Sequence, residues 1–106
     1  MAIKRVKLLG IARNYGTPLY VYDGDLVKQR YNELYDFIKW PKLKIFFAMK
    51  ANYNVAILKL LLKEGANLDT VSPGDVLLAL KVGFPKNRIL YTANNLTDKE
   101  MRMVAN

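Results

Sequence analysis

The 106-residue chain contains neither cysteine nor histidine. Their absence excludes a disulfide framework, a thiolate nucleophile, a Ser-His-Asp triad and any Cys/His metal site, so no metal is expected. What remains for chemistry is lysine amine, carboxylate, hydroxyl and amide. Long apolar runs are missing as well: no stretch approaches the roughly 20 residues of a membrane span. Lys4 and Arg5 stand where a signal peptide needs its apolar core. The expectation is a cytoplasmic protein without a membrane partner, and the lack of cysteine agrees with it. Acidic residues are scarce, 9 against 17 basic, for a net charge of +8. An excess of that size suits nucleic acid, an anionic surface or a phosphorylated ligand. It is spread along the chain, however, with 9 basic and 4 acidic residues in 1–44 and 8 and 5 in 45–106. The one local cluster, Lys39, Lys42 and Lys44 around Trp40 and Pro41, reads as a solvated helix end, and no nucleic-acid partner is expected.

What the chain does have is 52% hydrophobic and 25% charged residues, a mix that suits one compact domain. Lys4 to Tyr15 reads as a short helix stopped near Gly16. Leu19-Tyr20-Val21-Tyr22, rich in β-formers, reads as a short strand after Thr17-Pro18. Asp23 to Asp25 supplies a turn and a cap, and apolar residues at helical spacing from Leu26 to Trp40 predict a helix ended by Pro41. Ile45-Phe46-Phe47-Ala48-Met49 is a continuous apolar run, as expected for a parallel strand covered on both faces. Asn54 caps a helix from Val55 to Glu64, closed by Gly65, with Ile57, Leu58, Leu60, Leu61 and Leu62 facing inward. The pattern then repeats: strand Leu68–Val71, a helix capped by Ser72 with Pro73 first and Gly83 at its end, strand Ile89–Ala93, and a helix opened by the capping box Thr97-x-x-Glu100.

Strands starting near Ile45, Leu68 and Ile89 recur at intervals of 23 and 21 residues, each followed by a helix. That is a repeated βα unit, whose crossovers make the strands parallel and bring every strand-to-helix loop to the carboxyl edge. Three parallel strands make a small sheet with two open edges, as expected of the N-terminal part of a longer α/β protein. A (β/α)8 TIM-type barrel, here incomplete, accommodates units of this length, and a doubly wound sheet fits the same pattern.

The carboxyl edge carries Lys50 after the first strand, Asp69 in the second, Ser72 at its end, and Asn94-Asn95 after the third. Ser72 and Thr97 are explained as caps, and the asparagines suit loops that tolerate left-handed backbone. Lys50, joined directly to an apolar strand, must either reach out to solvent or place its ammonium in the mouth of the sheet. In the second position partial desolvation would favour the neutral amine, able to form a Schiff base with an aldehyde or ketone.

Phe47-Ala48-Met49-Lys50-Ala51-Asn52 resembles the Phe/Tyr-Ala-x-Lys-Ala-Asn signature of the fold-type III pyridoxal-phosphate decarboxylases. Thr17 to Asp23, Leu68 to Asp75 and Ala79 to Pro85 resemble further segments of that family in the same order, so the likeness covers about 90 residues. The resemblance implies pyridoxal 5'-phosphate as cofactor and Lys50 as the catalytic residue that holds it. It implies Ala48 beside the cofactor and Asp69 as an acidic residue near it. It further implies a homodimer, an N-terminal segment over 1–23, a partial cofactor-binding barrel over 24–106, and an amino acid as substrate. The combination is most similar to the branch that converts meso-diaminopimelate to L-lysine and carbon dioxide. Ornithine, arginine or carboxynorspermidine decarboxylation is the alternative on the same fold, and a non-catalytic basic binding module is the alternative outside it. Asp75 departs from the family's usual Glu, and Leu96 from a commoner Lys. The family's ring-stacking His, Gly-rich phosphate loop, pyridine-pairing Glu and partner-subunit Cys all belong to later segments, so the 106 residues alone are expected to be inactive.

Overall fold

The computed structural model describes residues 3–106. Helix α1 (Arg5–Tyr15) ends at Gly16, whose φ of 81° lies in the left-handed region that glycine adopts without strain. None of its residues is buried. Helix α2 (Gly24–Phe37) begins where the Asp23 carboxylate accepts hydrogen bonds from the Asp25 and Leu26 amides at 3.1 and 3.2 Å. It ends at Phe37, three residues short of the Trp40 end expected from Pro41. The backbone has already left helical geometry at Ile38, with ψ 90°, so the irregular Lys39-Trp40 pair leads into the proline.

The three βα units follow. Strand β1 (Phe46–Ala48) runs into a short 3-10 turn (Met49–Ala51) and helix α3 (Val55–Lys63). Strand β2 (Asn67–Thr70) leads to helix α4 (Pro73–Val82), and strand β3 (Ile89–Tyr91) to helix α5 (Asp98–Ala105). All pairings are parallel in the order β1-β2-β3. The helix starts read from the sequence are realised: Asn54 accepts from the Ala56 amide at 2.9 Å, Ser72 from Asp75 at 3.1 Å, and Thr97 and Glu100 form a reciprocal box. Gly83, with φ 113°, closes α4.

Register decides which side of the sheet is covered. Phe47, Leu68 and Ile89 are cross-strand partners, and all three pack into a core with Met49, Leu58, Ala79, Val82 and Phe84 beneath the helices. A second cluster, Tyr31, Ile57, Leu61 and Ala66, seats α2 against α3, with Phe47 packed against both clusters. The alternate row faces the other way. Phe46 and Leu90 are exposed there, and Ala48 and Asp69 are half-buried.

Further expectations are corrected. Leu19–Tyr22 forms no strand: it pairs with none of the three strands, although β1 and β3 each keep an open edge, and Tyr20 stands almost fully exposed. The Ile45–Met49 run is a three-residue strand covered on one face only, since helices pack on one side of the sheet and nothing described packs on the other. Leu60 and Leu62 are half-buried at the sides of α3, whose buried residues are Ile57, Leu58 and Leu61.

The edge opposite the strand-to-helix loops is tied by Arg88. Its guanidinium donates to the carbonyl of Ala66 and, at 3.3 Å, to that of Leu62, closing the end of α3, and it lies over the Phe84 ring at 5.6 Å. Leu58 is fully buried in the main core. Leu58→Ala is expected to cost about 2–5 kcal/mol, read as a lowered urea midpoint at constant slope. A loss below about 1 kcal/mol would mean that this core is not the one holding the sheet.

Candidate functional site at the carboxyl edge of the sheet

Strand β1 ends at Ala48, and the chain tightens at once into the 3-10 turn, in which Met49 is fully buried and Lys50 is exposed. The buried Met49 anchors the turn in the core, so the next residue must leave it. Lys50 therefore stands at the carboxyl end of β1 with its amine in solvent, and among the described residues it forms no ion pair. Of the two positions open to this lysine, the structure shows the outward one.

The loop beyond Lys50 is held by its own asparagines. Asn52 Oδ1 accepts from the Asn54 amide at 2.9 Å, and Asn54 in turn caps α3. The turn and the helix are thus joined without slack, which fixes the backbone that carries Lys50.

Ala48 and Asp69 are cross-strand partners, and Asp69 pairs in turn with Leu90, so these three share the bare face of the sheet. Ala48 adds only a methyl to that face. Asp69 Oδ1 accepts a hydrogen bond from the Thr92 hydroxyl. The structure therefore brings Ala48 and Asp69 together, places Lys50 two residues beyond Ala48, and adds Thr92, which the sequence reading passed over. The signal for it was parity: Thr92 lies two residues after Leu90 and so projects to the same face. Beside these residues a groove of about 660 Å³ runs between α2 and β1, lined on the sheet side by Phe46, Ala48, Ala51 and Asn52.

The other residues noted at this edge have structural duties. Ser72 is a cap, and Asn95 adopts left-handed backbone with φ 56°. Asp75 is buried at 6% exposure, and its carboxylate accepts the Val71 amide at 3.0 Å, tying the end of β2 to the first turn of α4. The Tyr53 phenol lies in its field. Its pKa is raised above the ordinary 10.0, first by loss of hydration and then by the negative charge of Asp75. Tyr91 is shifted the same way, by loss of hydration and then by Glu100 and Asp75.

Comparison with known proteins gives a consistent picture. Residues 25–106 match the family described as pyridoxal-dependent decarboxylase, pyridoxal binding domain. The chain is 43% identical over 94 residues to diaminopimelate decarboxylase of Methanothermobacter thermautotrophicus, covering 87% of this chain and 22% of that protein. It is 40% identical over 105 residues to diaminopimelate decarboxylase of Bacillus subtilis, covering 97% of this chain and 24% of that one. The crystal structure of diaminopimelate decarboxylase from Helicobacter pylori complexed with L-lysine superposes with a TM-score of 0.84 at 32% identity, over 92% of this chain and 25% of that one. The chain thus spans about a quarter of the length of these proteins, and its three parallel βα units are a portion of a (β/α)8 barrel.

The Tyr53 shift has a directional consequence. A phenol whose folded pKa is raised contributes stability that is present below pH 10 and is lost as pH rises through the folded value. Asp75→Asn removes the negative charge and is expected to bring ionisation of Tyr53 down toward its ordinary range. The measurement is phenolate absorbance against pH, with Tyr53→Phe to assign the band. An unchanged titration would show that Asp75 does not act on Tyr53.

Proposed function

The chain belongs to the pyridoxal-dependent decarboxylases, as part of their pyridoxal-binding domain, and from that membership we propose that Lys50 is the residue that holds pyridoxal phosphate. The reaction served is amino-acid decarboxylation, with meso-diaminopimelate as substrate and L-lysine and carbon dioxide as products. The substrate follows the relatives that are named diaminopimelate decarboxylase. The observation that carries the reading is the placement of a solvent-facing lysine amine at the carboxyl end of β1, directly beyond the Ala48 and Asp69 row.

The residues present fit the aldehyde-bearing ring of the cofactor. An aldehyde-bearing aromatic ring needs an accessible amine, a shallow surface and a hydrogen-bond acceptor. Lys50 offers the first, Ala48 on a bare sheet face the second, and the Asp69 carboxylate the third. When bound, pyridoxal phosphate supplies a conjugated ring that accepts the electron pair left as carbon dioxide departs.

The chain's own residues do the rest. Lys50 Nζ acts as a nucleophile toward an aldehyde only as the neutral amine. The 3-10 turn and the Asn52-Asn54 pair hold the Lys50 backbone at one height above the sheet. Asp69 presents a carboxylate held by Thr92 rather than a freely turning one. Ala48, by its size, keeps the floor between them open.

Treatment with pyridoxal phosphate, reduction by borohydride and peptide mapping should place the label on Lys50, and Lys50→Ala should remove it. Label scattered over the other surface lysines would favour a basic binding module and overturn the proposal. Decarboxylation is expected of a polypeptide of the relatives' length, about four times that of this chain. The 106 residues alone are expected to release no carbon dioxide from meso-diaminopimelate above the uncatalysed rate. Enzyme-like turnover by them would contradict this.

A further inference from the structure

We propose that Thr92 is a positioning residue, whose hydroxyl fixes the Asp69 carboxylate for cofactor binding at this edge. The inference rests on the reading that Lys50 and Asp69 serve pyridoxal phosphate, and it adds a residue from the third strand to that site.

The argument begins with the backbone. Thr92 lies just beyond β3, but its amide still donates to the Thr70 carbonyl at 2.9 Å, so the parallel ladder continues through it. Its Cα is therefore as fixed as those of the strand. Thr92 is also β-branched, which restricts rotation about its first side-chain bond. A hydroxyl on such a residue is an anchor that does not wander.

Asp69 is differently placed. It is half-buried on the bare face, opposite Ala48 on one side and Leu90 on the other. Neither partner can hydrogen-bond through its side chain, so a carboxylate in this row would be free to sample three staggered rotamers. Thr92 is its diagonal neighbour, one pleat further toward the carboxyl edge, and its hydroxyl donates to Asp69 Oδ1. The bond selects one rotamer and draws the carboxylate toward the edge where Lys50 stands. A carboxylate has about four acceptor sites on two oxygens, so this bond leaves Asp69 able to accept from a ligand. The same geometry explains why valine at this position would differ from threonine: the shape would be kept and the donor lost.

The test uses a polypeptide of the relatives' length that includes this chain, stripped of cofactor and titrated with pyridoxal phosphate by absorbance. Thr92→Val, which preserves shape, is expected to weaken binding by between about three- and tenfold, from rotamer freedom at the low end to loss of a charge-assisted hydrogen bond at the high end. Thr92→Ser, which restores the hydroxyl, should return affinity to within about twofold of the parent. Thermal unfolding of both variants separates positioning from folding, since a structural role alone would lower the melting temperature without discriminating valine from serine in affinity. Parent-like affinity for Thr92→Val alongside weakened binding by Asp69→Asn would overturn the role of Thr92 and leave that of Asp69 standing. Parent-like affinity for Asp69→Asn would overturn the reading of Asp69 itself, and the inference with it. Equal weakening by valine and serine would assign the effect to packing and also overturn it.

Discussion

The parallel register of β1, β2 and β3 is the constraint from which both the core and the candidate site follow. Pairing Phe47 with Leu68 and Leu68 with Ile89 gathers one row of side chains under the helices, where burial of apolar surface stabilises the sheet. Because side chains alternate along a strand, the same pairing necessarily sets Ala48, Asp69 and Leu90 on the opposite face. A slip of one residue in β2 would turn Asp69 into the core and Leu68 into solvent, an exchange the buried carboxylate would make costly. The stability of the buried row therefore enforces which residues face the candidate site.

The two edges of the sheet divide the labour. At the carboxyl edge the loops are set by local hydrogen bonds: Asn52 and Asn54 after β1, Ser72 and Asp75 after β2, Thr97 and Glu100 after β3. Each satisfies amides at a helix start that would otherwise lack partners. These bonds hold the backbone while leaving Lys50 and Asp69 accessible. At the opposite edge the duties are structural, with Arg88 closing the end of α3 and Tyr31 packed beneath it, hydrogen-bonded to Tyr35 at 3.2 Å. Burial and this bond to Tyr35 both hold Tyr31 in its neutral form, its pKa raised well above the usual range.

Much of this architecture is legible in the residues because the signals are local. Asn54, Ser72 and Thr97 announce helix starts through their own side chains, and Gly16 and Gly83 announce ends through backbone that other residues adopt only under strain. Lys50, Ala48 and Asp69 are cofactor-site candidates only through the resemblance carried by the segments around them, and the structure adds where they stand. What could not be read depends on partners distant in sequence. Leu19–Tyr22 has the composition of a strand, yet strand formation needs hydrogen-bonded pairing with another strand, and this segment joins none of the three. Ile45–Met49 has the composition of a doubly buried strand, yet burial depends on what covers the second face. The Thr92 contact with Asp69 spans 23 residues and depends on the register, which composition does not disclose.

Arg88 carries a consequence for how such a chain is assembled from repeats. The βα units look interchangeable in outline, each a strand, a turn and a helix of similar length. The guanidinium at residue 88, however, is spent on carbonyls at residues 62 and 66, so the third strand's approach segment doubles as the lock on the preceding unit's exit. Excising or transplanting one unit would strand a cation among apolar neighbours at one junction and leave open carbonyls at the other. Neighbouring units here are mortised rather than merely stacked, and an insertion between Gly65 and Arg88 would have to preserve that joint.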